Sequence, residues 1–308
     1  MPEISVVVPT YNRSAFLRRA VFSILYQSFQ DYEIIIIDDA STDTTEQEVR
    51  STFGIELESK KILYCKNPSN LERAKSRNKG MDLARGTYIA LLDDDDIWLP
   101  EHLETLHTFL INTPGTDIVF SGWQYYESKT GSSRTFLSGV PTGTGTLYRD
   151  LLLKALIGYP STAMFKKGLI ATVGTFNERL KLREDWEFFS RCAFHSDTGF
   201  INKPTVRIYG HEGSYSGSRE KWVTDTEKAW HMILQTAACL NVAIDKSIVT
   251  ERSLRLSRAF LSTGNFRAAK LYLLDAFRHA PSSIFKAIAI ENMFKLLIGK
   301  NLYLRYKR

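Results

Sequence analysis

The sequence predicts an α/β protein: a mostly parallel sheet flanked by helices, followed by a C-terminal α-helical extension. Three observations predict it. Short apolar runs alternate with helical stripes through the first half of the 308-residue chain. The early runs end in polar clusters, as strands do at the carboxyl edge of an open parallel sheet. From about Lys221 the pattern turns wholly helical. The expected division is a sheet domain over residues 1–220 and a helical region over 221–308.

Ile4 to Val8 is a short, nearly continuous apolar run closed by Pro9, the pattern of a strand buried on both faces. Phe16, Leu17, Ala20, Val21, Ile24 and Leu25 then fall on one helical stripe. Glu33 to Ile37 is the second strand, ending in Asp38-Asp39. Asp43 with Glu46 reads as a capping box for the next helix. Ile62 to Cys65 is a third strand. Ser69 with Glu72 reads as the cap of a helix that runs to about Ala84 and stops at Gly86. Tyr88 to Leu92 is the fourth strand and Ile118 to Phe120 a fifth. The stretch from Gly122 to about Gly145 is rich in Gly, Ser and Thr and reads as loops and antiparallel excursions. Trp123, Tyr125 and Tyr126 in it are either sheet-edge core or a stacking surface for a sugar. Leu254 to Ala280 reads as an αα-hairpin turning at Gly264-Asn265. Its spacing is that of one tetratricopeptide unit, and one copy makes no array.

Hydrophobic residues at 44% and charged residues at 24% describe a globular chain. Cys65, Cys192 and Cys239 are odd in number and far apart, which excludes a disulfide framework and a CxxC metal site. No apolar stretch reaches the length of a membrane span. Met1-Pro2-Glu3 leads straight into a strand, so no secretory leader is expected. The expected location is the cytoplasm, peripheral on the inner face of the membrane. The net charge is +6 and unevenly spread: Lys295 to Arg308 holds five basic residues and no acid. Such a tail asks for an anionic surface.

Asp93 to Asp96 follow the fourth strand at once, and Ile97-Trp98-Leu99-Pro100 follows them. Carboxylates this close repel one another, and a cation neutralises them. A solvated acidic turn is the bland alternative, and the apolar flanks argue against it. Pro9-Thr10-Tyr11-Asn12, Asp38-Asp39 and this acid run would share one sheet edge. An aromatic ring, a carboxylate and a metal-binding cluster suit a nucleotide diphosphate. No GxGxxG or GxxxxGK[ST] lies near these strand ends, which disfavours dinucleotide oxidoreductases and P-loop enzymes.

Five stretches in this order resemble family 2 glycosyltransferases of the GT-A fold. They are Val6-Val7-Val8-Pro9-Thr10-Tyr11-Asn12-Arg13, Ile37-Asp38-Asp39-Ala40-Ser41-Thr42-Asp43, Ala74-Lys75-Ser76-Arg77-Asn78-Lys79-Gly80, Leu92-Asp93-Asp94-Asp95-Asp96, and Gly174-Thr175-Phe176-Asn177-Glu178 with Glu184-Asp185-Trp186-Glu187. The resemblance spans roughly residues 3 to 215. Thr175 stands where the family has glycine.

The resemblance implies an inverting, metal-dependent transferase. Pro9, Thr10 and Tyr11 would cradle the base of the donor and Asp39 would bond it. Arg77 would face the diphosphate. Asp93 and Asp94 would serve the ribose and Asp95 would hold Mn²⁺ or Mg²⁺, with His211 as a further ligand from a mobile loop spanning Arg207 to Ser216. Asp185 would be the general base, at the start of a helix whose N-terminus favours an ionised carboxylate. A plain helix cap is the other reading of Asp185. The donor would be a UDP- or dTDP-sugar. The acceptor would be a saccharide or lipid-linked saccharide in bacterial cell-surface polysaccharide synthesis. Expected partners include a membrane surface at the basic C-terminal segment and an oligomer through the C-terminal helices, and no nucleic acid.

Two rivals stay open on sequence. A sugar-phosphate nucleotidyltransferase should carry a Gly- and Arg-rich loop after the first strand, and Pro9-Thr10-Tyr11-Asn12 is not one. A non-catalytic carbohydrate-binding protein on the same fold would have no need to keep every acid named above.

Overall fold

The computed structural model describes residues 1–127, 131–136, 151–153, 159–210 and 218–306, with side chains to residue 298. It divides into two compact units, Met1–Ser214 and Tyr215–Arg308.

In chain order the first unit holds β1 (Ile4–Thr10), α1 (Ser14–Leu25), β2 (Tyr32–Asp38), α2 (Thr45–Thr52), α3 (Gly54–Glu58), β3 (Ile62–Lys66), α4 (Glu72–Leu83), β4 (Tyr88–Leu91), β5 (Ile97–Trp98), α5 (His102–Asn112), β6 (Thr116–Glu127), β7 (Ser133–Phe136), β8 (Ala163–Lys166), α6 (Leu169–Val173), α7 (Glu184–His195) and β9 (Asp197–Gly210). The sheet order is β3-β2-β1-β4-β8-β6-β9-β5, with β7 beside β6. β3, β2, β1 and β4 run parallel. β8 is antiparallel to both β4 and β6, while β6 and β9 pair in parallel. The sheet is thus parallel in its first half and mixed in its second.

Every residue of β1 and β2 is buried. Val6, Val8, Ile34 and Ile36 face one layer, against Leu17, Val21 and Ile24 of α1 and Leu103 and Leu106 of α5. Val7, Ile35, Ile37 and Leu91 face the other, against Ala74 and Met81 of α4 and Phe188 and Phe189 of α7. Alternate side chains point to opposite faces of a strand, so two helical layers cover one sheet. Each such side chain contributes about 1.5–3 kcal/mol on burial. At Gly80 a β-carbon would lie 2.3 Å from Val7 Cγ1. The glycine lets α4 press directly on β1, which sets the depth of Arg77 beneath the sheet edge.

Two capping expectations change. Asp43 accepts from Thr45 N at 3.0 Å, two residues on, and Glu46 pairs with Arg50 and Lys66 instead of closing a box. At α4 the amides of Leu71 and Glu72 are bound by Asp39, at 2.8 and 2.9 Å, and Asn70 adds a bond at 3.1 Å. The carboxylate that serves the helix start comes from the β2 edge and not from Ser69. The predicted fifth strand runs on through Trp123, Tyr125 and Tyr126 to Glu127. Trp123 stacks on Phe136 and Tyr126 on Tyr209, so these rings stabilise the mixed half of the sheet. Arg207 to Gly210, expected in a loop, belong to β9.

The second unit holds α8 (Arg219–Cys239), α9 (Lys246–Ser262), α10 (Phe266–His279) and α11 (Ala287–Tyr306). The hairpin of α9 and α10 turns at Gly264, whose φ of +79° suits glycine. Asn265 accepts from Ala268 N and caps α10. Leu254, Leu273, Ala276 and Ala289 form its core with Met293 and Leu296. No helix among the described residues is long and apolar enough to cross a membrane.

Candidate active site

The strand order reverses between β1 and β4, and ligands of open α/β sheets bind in the crevice beyond the strand ends there. β1 delivers Thr10, Tyr11 and Arg13 to this edge. β2 delivers Asp38 and Asp39, and β4 delivers Asp93 to Asp96.

The β1 and β2 loops are tied to one another. Asn12 sits at φ 52°, in the left-handed region that Asn tolerates. Its Oδ1 accepts from Thr42 N at 2.7 Å and Asp43 N at 3.3 Å, and its own amide donates to Ser41 Oγ at 2.9 Å. Asp38 is fully buried, accepting from Ser41 N at 2.7 Å and from the Tyr64 hydroxyl. Asp39 accepts from Asn67 Nδ2 at 2.8 Å besides the two α4 amides. Three donors among the described residues occupy it. Pro9 and Thr10 are buried, whereas Tyr11 is 44% exposed.

The four aspartates turn to different partners. Asp93 Oδ1 accepts from Arg77 Nη2 at 2.6 Å. Asp94 accepts from Thr10 Oγ1 at 2.7 Å and from Arg13 Nη1 at 3.0 Å. Asp95 Oδ2 accepts from the same Arg13 nitrogen at 2.6 Å. Asp96 Oδ2 accepts from Ser161 Oγ at 2.5 Å, and Ser161 Oγ accepts from Asp93 N at 3.0 Å. Ser161 therefore fixes both ends of the acid turn, and its own carbonyl is held by Trp98 Nε1 at 2.7 Å. Burial pushes the Asp94 carboxyl up to about 6, with Arg13 pulling against it and Asp95 adding to it. Burial beside Asp95 and Asp93 holds Asp96 well above the usual carboxylate range. Burial acts in the same direction on Asp93, but Arg77 and Arg73 outweigh it and leave that carboxyl below its ordinary value.

Arg77 is 1% exposed. Its Nη1 donates to Glu184 Oε1 at 2.7 Å while Nη2 holds Asp93. Burial opposes its charge, yet Asp93 and Glu184 hold it above the ordinary guanidinium value. Sequence places Arg77 at the diphosphate; the structure places it beneath the acid run, joining β4 to α7. One residue on, Asn78 clamps the turn at Phe176: Oδ1 accepts from Phe176 N at 2.8 Å and Nδ2 donates to Phe176 O at 3.0 Å and Glu178 Oε1 at 3.1 Å. Two of the five sequence stretches thus meet as one contact.

α7 begins after Arg183, which is left-handed at φ 69°. Glu184 is buried, and burial with the adjacent Asp185 charge raises its carboxyl against the pull of Arg77. Asp185 is partly exposed in the first turn, with Oδ1 accepting from Trp186 N at 2.7 Å. His211 lies outside the described residues. Arg13, Ser161 and Glu184 are the site residues that sequence reasoning left without a role. Arg13 and Glu184 stood inside the quoted motifs; Ser161 had no local signal at all.

Among the described residues no group of three or more His, Cys, Asp or Glu side chains is placed to hold an ion. The pair Asp94 and Asp95 already shares one cationic nitrogen. Two adjacent carboxylates are a donor set that fits Mg²⁺ or a similar hard cation, which takes its other ligands from water and phosphate.

Residues 5–174 match the family described as Glycosyl transferase family 2, and the chain belongs to that family. An uncharacterized glycosyltransferase of Methanocaldococcus jannaschii is 32% identical over 192 residues, which are 62% of this chain and 64% of that relative, short of two thirds of its length. A structure of S. aureus TarS in complex with UDP-GlcNAc has a TM-score of 0.71 at 18% identity, covering 100% of this chain and 92% of that one. The mannosyltransferase PcManGT of Pyrobaculum calidifontis, in complex with GDP-Man and Mn²⁺, has a TM-score of 0.55 at 18% identity, covering 100% and 88%. These two establish the GT-A-like fold.

Proposed function

We propose that the chain moves a sugar from a uridine- or thymidine-diphosphate donor to a hydroxyl of a saccharide or lipid-linked saccharide, with inversion, in cell-surface polysaccharide synthesis. The observation that carries this reading is the Asp93–Arg77–Glu184 chain, built on a buried guanidinium. It ties the acid run at the donor edge to the helix that carries Asp185.

Pro9, Thr10, Tyr11 and Asp39 bind the base, and Asp93 and Asp94 serve the ribose side. The open face of Tyr11 suits stacking on a pyrimidine. Asp95, with Asp94 behind it, would hold Mn²⁺ or Mg²⁺, which would supply positive charge at the diphosphate. Asp185 takes the proton of the acceptor hydroxyl as its oxygen bonds to the anomeric carbon. The bond from that carbon to the diphosphate oxygen breaks, and the electron pair leaves with the diphosphate. One base and one displacement invert the centre. Buried Glu184 keeps the Asp185 backbone in place. TarS with UDP-GlcNAc supports a uridine donor and PcManGT with Mn²⁺ supports the ion.

The acceptor reading draws on the second unit. Residues 266–308 hold nine Lys and Arg against two Asp and Glu, which is more than the whole chain's excess of +6. Phe285, Ile290, Phe294 and Leu297 are exposed, the last three at helical spacing along α11. An apolar stripe on a basic element fits an anionic bilayer, where lipid-linked acceptors lie.

The testing experiment is calorimetry of UDP-sugars with Mn²⁺ and with EDTA. Metal-dependent donor binding and turnover should both vanish in Asp95→Ala. Donor affinity unchanged by EDTA and by the substitution would overturn the metal-dependent reading.

A further inference from the structure

We propose that Arg13 is a built-in counter-cation, which holds the place of the divalent ion between Asp94 and Asp95 until ion and donor displace it. The inference rests on reading the acid run as the metal site. It goes further by giving Arg13 a role in how that site loads.

One nitrogen, Arg13 Nη1, stands 3.0 Å from Asp94 Oδ1 and 2.6 Å from Asp95 Oδ2. The three side chains are mostly buried, at 19%, 7% and 17% exposure. Like charges buried side by side repel, and a cation set between them is the usual remedy. Here the chain supplies that cation itself. The aim of Arg13 is fixed from behind: Asn12 is pinned by the amides of Thr42 and Asp43, and Arg13 precedes the first turn of α1. The loop therefore presents the guanidinium across the crevice to the β4 turn.

An ion arriving alone must break both contacts and meets the repulsion of a guanidinium. It should bind weakly. A diphosphate changes the balance, because it is a strong bidentate partner for a guanidinium. Donor and metal then favour the same rearranged state, which couples their binding positively.

The test is Mn²⁺ alone, without donor, titrated by electron paramagnetic resonance into the full chain and into Arg13→Met and Arg13→Lys. Arg13→Met should bind Mn²⁺ at least about tenfold more tightly than the parent, the scale of one unit charge removed from a partly buried site. Arg13→Lys, with a point charge in place of the fork, should fall between. Mn²⁺ should also raise the Tm of Arg13→Met by more than that of the parent. Adding Asp95→Ala to Arg13→Met should abolish the gain. Affinity equal to or weaker than the parent in both variants, or a gain that survives Asp95→Ala, overturns the proposal. A UDP titration of the parent with Mn²⁺ and with EDTA separates the two readings. If UDP binding needs Mn²⁺ while Arg13→Met matches the parent, the place-holder fails and the metal site stands. If UDP binding ignores Mn²⁺, the metal site fails as well.

Discussion

Arg77 and Glu184 are 107 residues apart in sequence and meet as a buried ion pair, Nη1 to Oε1 at 2.7 Å. The other end of the same guanidinium holds Asp93. Arg77→Met leaves two carboxylates without their cation, the buried Glu184 and the partly exposed Asp93. Removing one partner of such a pair costs roughly 3–5 kcal/mol. Arg77→Lys keeps the charge but cannot span both acids. Urea unfolding should rank the parent above Arg77→Lys and Arg77→Met lowest. Equal midpoints for all three would remove Arg77 from its joining role.

Asp185 is partly exposed in the first turn of α7, while Glu184 beside it is buried. Asp185→Asn keeps the bond to Trp186 N through its amide oxygen, so helix and donor site should persist. Transfer should fall by at least about 10²-fold, the scale of a general base. Calorimetry should give unchanged UDP affinity. Turnover near the parent rate would make Asp185 a helix cap and nothing more.

β1, β2 and β4 were legible because a strand buried on both faces is a near-continuous apolar run, and these are such runs. The acid edge was legible for the same reason, since Asp38-Asp39 and Asp93 to Asp96 interrupt those runs. The second half was not. β5 is only Ile97–Trp98, and β9 passes through Asn202-Lys203-Pro204, where the pairing with β6 shifts register. A local pattern also misled at α4, where Ser69 and Glu72 resemble a box but the amides are claimed by Asp39 from another strand. Ser161 bonds across the fold to Asp93 and Asp96, and no periodicity announces a contact of that range. Arg77 was found, but its direction was not, because burial beneath the edge depends on Gly80 pressing α4 against Val7.

His102 is fully buried, stacked on Trp98 with ring centroids 4.4 Å apart, and its Nδ1 lies 2.7 Å from Thr205 Oγ1. Burial lowers its pKa from 6.5 to about 3. The unfolded chain therefore binds a proton below pH 6.5 that the folded chain refuses. Stability from this residue is present above pH 6.5 and is lost as pH falls toward 3, by about 1.4 kcal/mol per unit at most. Asp94 and Asp96, raised by burial, work in the opposite sense over the acidic range. The difference between parent and His102→Gln isolates the histidine. Urea midpoints should converge as pH drops from 7 to 4.5; a constant difference would mean that His102 protonates freely in the fold.

Phe285 and Leu297 are 82% and 84% exposed, in a region whose basic residues outnumber its acids nine to two. Two forces should then act together on an anionic bilayer: apolar insertion of the α11 stripe and attraction of the basic side chains, the second screened by salt. The triple variant Phe285→Ser, Phe294→Ser, Leu297→Ser removes the first without touching the inward Ala289, Met293 and Leu296, so the helical unit should stay folded. Flotation with vesicles of one third phosphatidylserine should carry the full chain at low salt and less of it at high salt. The triple variant should stay at the bottom at either salt. Equal flotation of both proteins would leave the stripe without a membrane role. Concentration-dependent sedimentation of the parent, lost in the variant, would instead assign the face to a second copy of the chain.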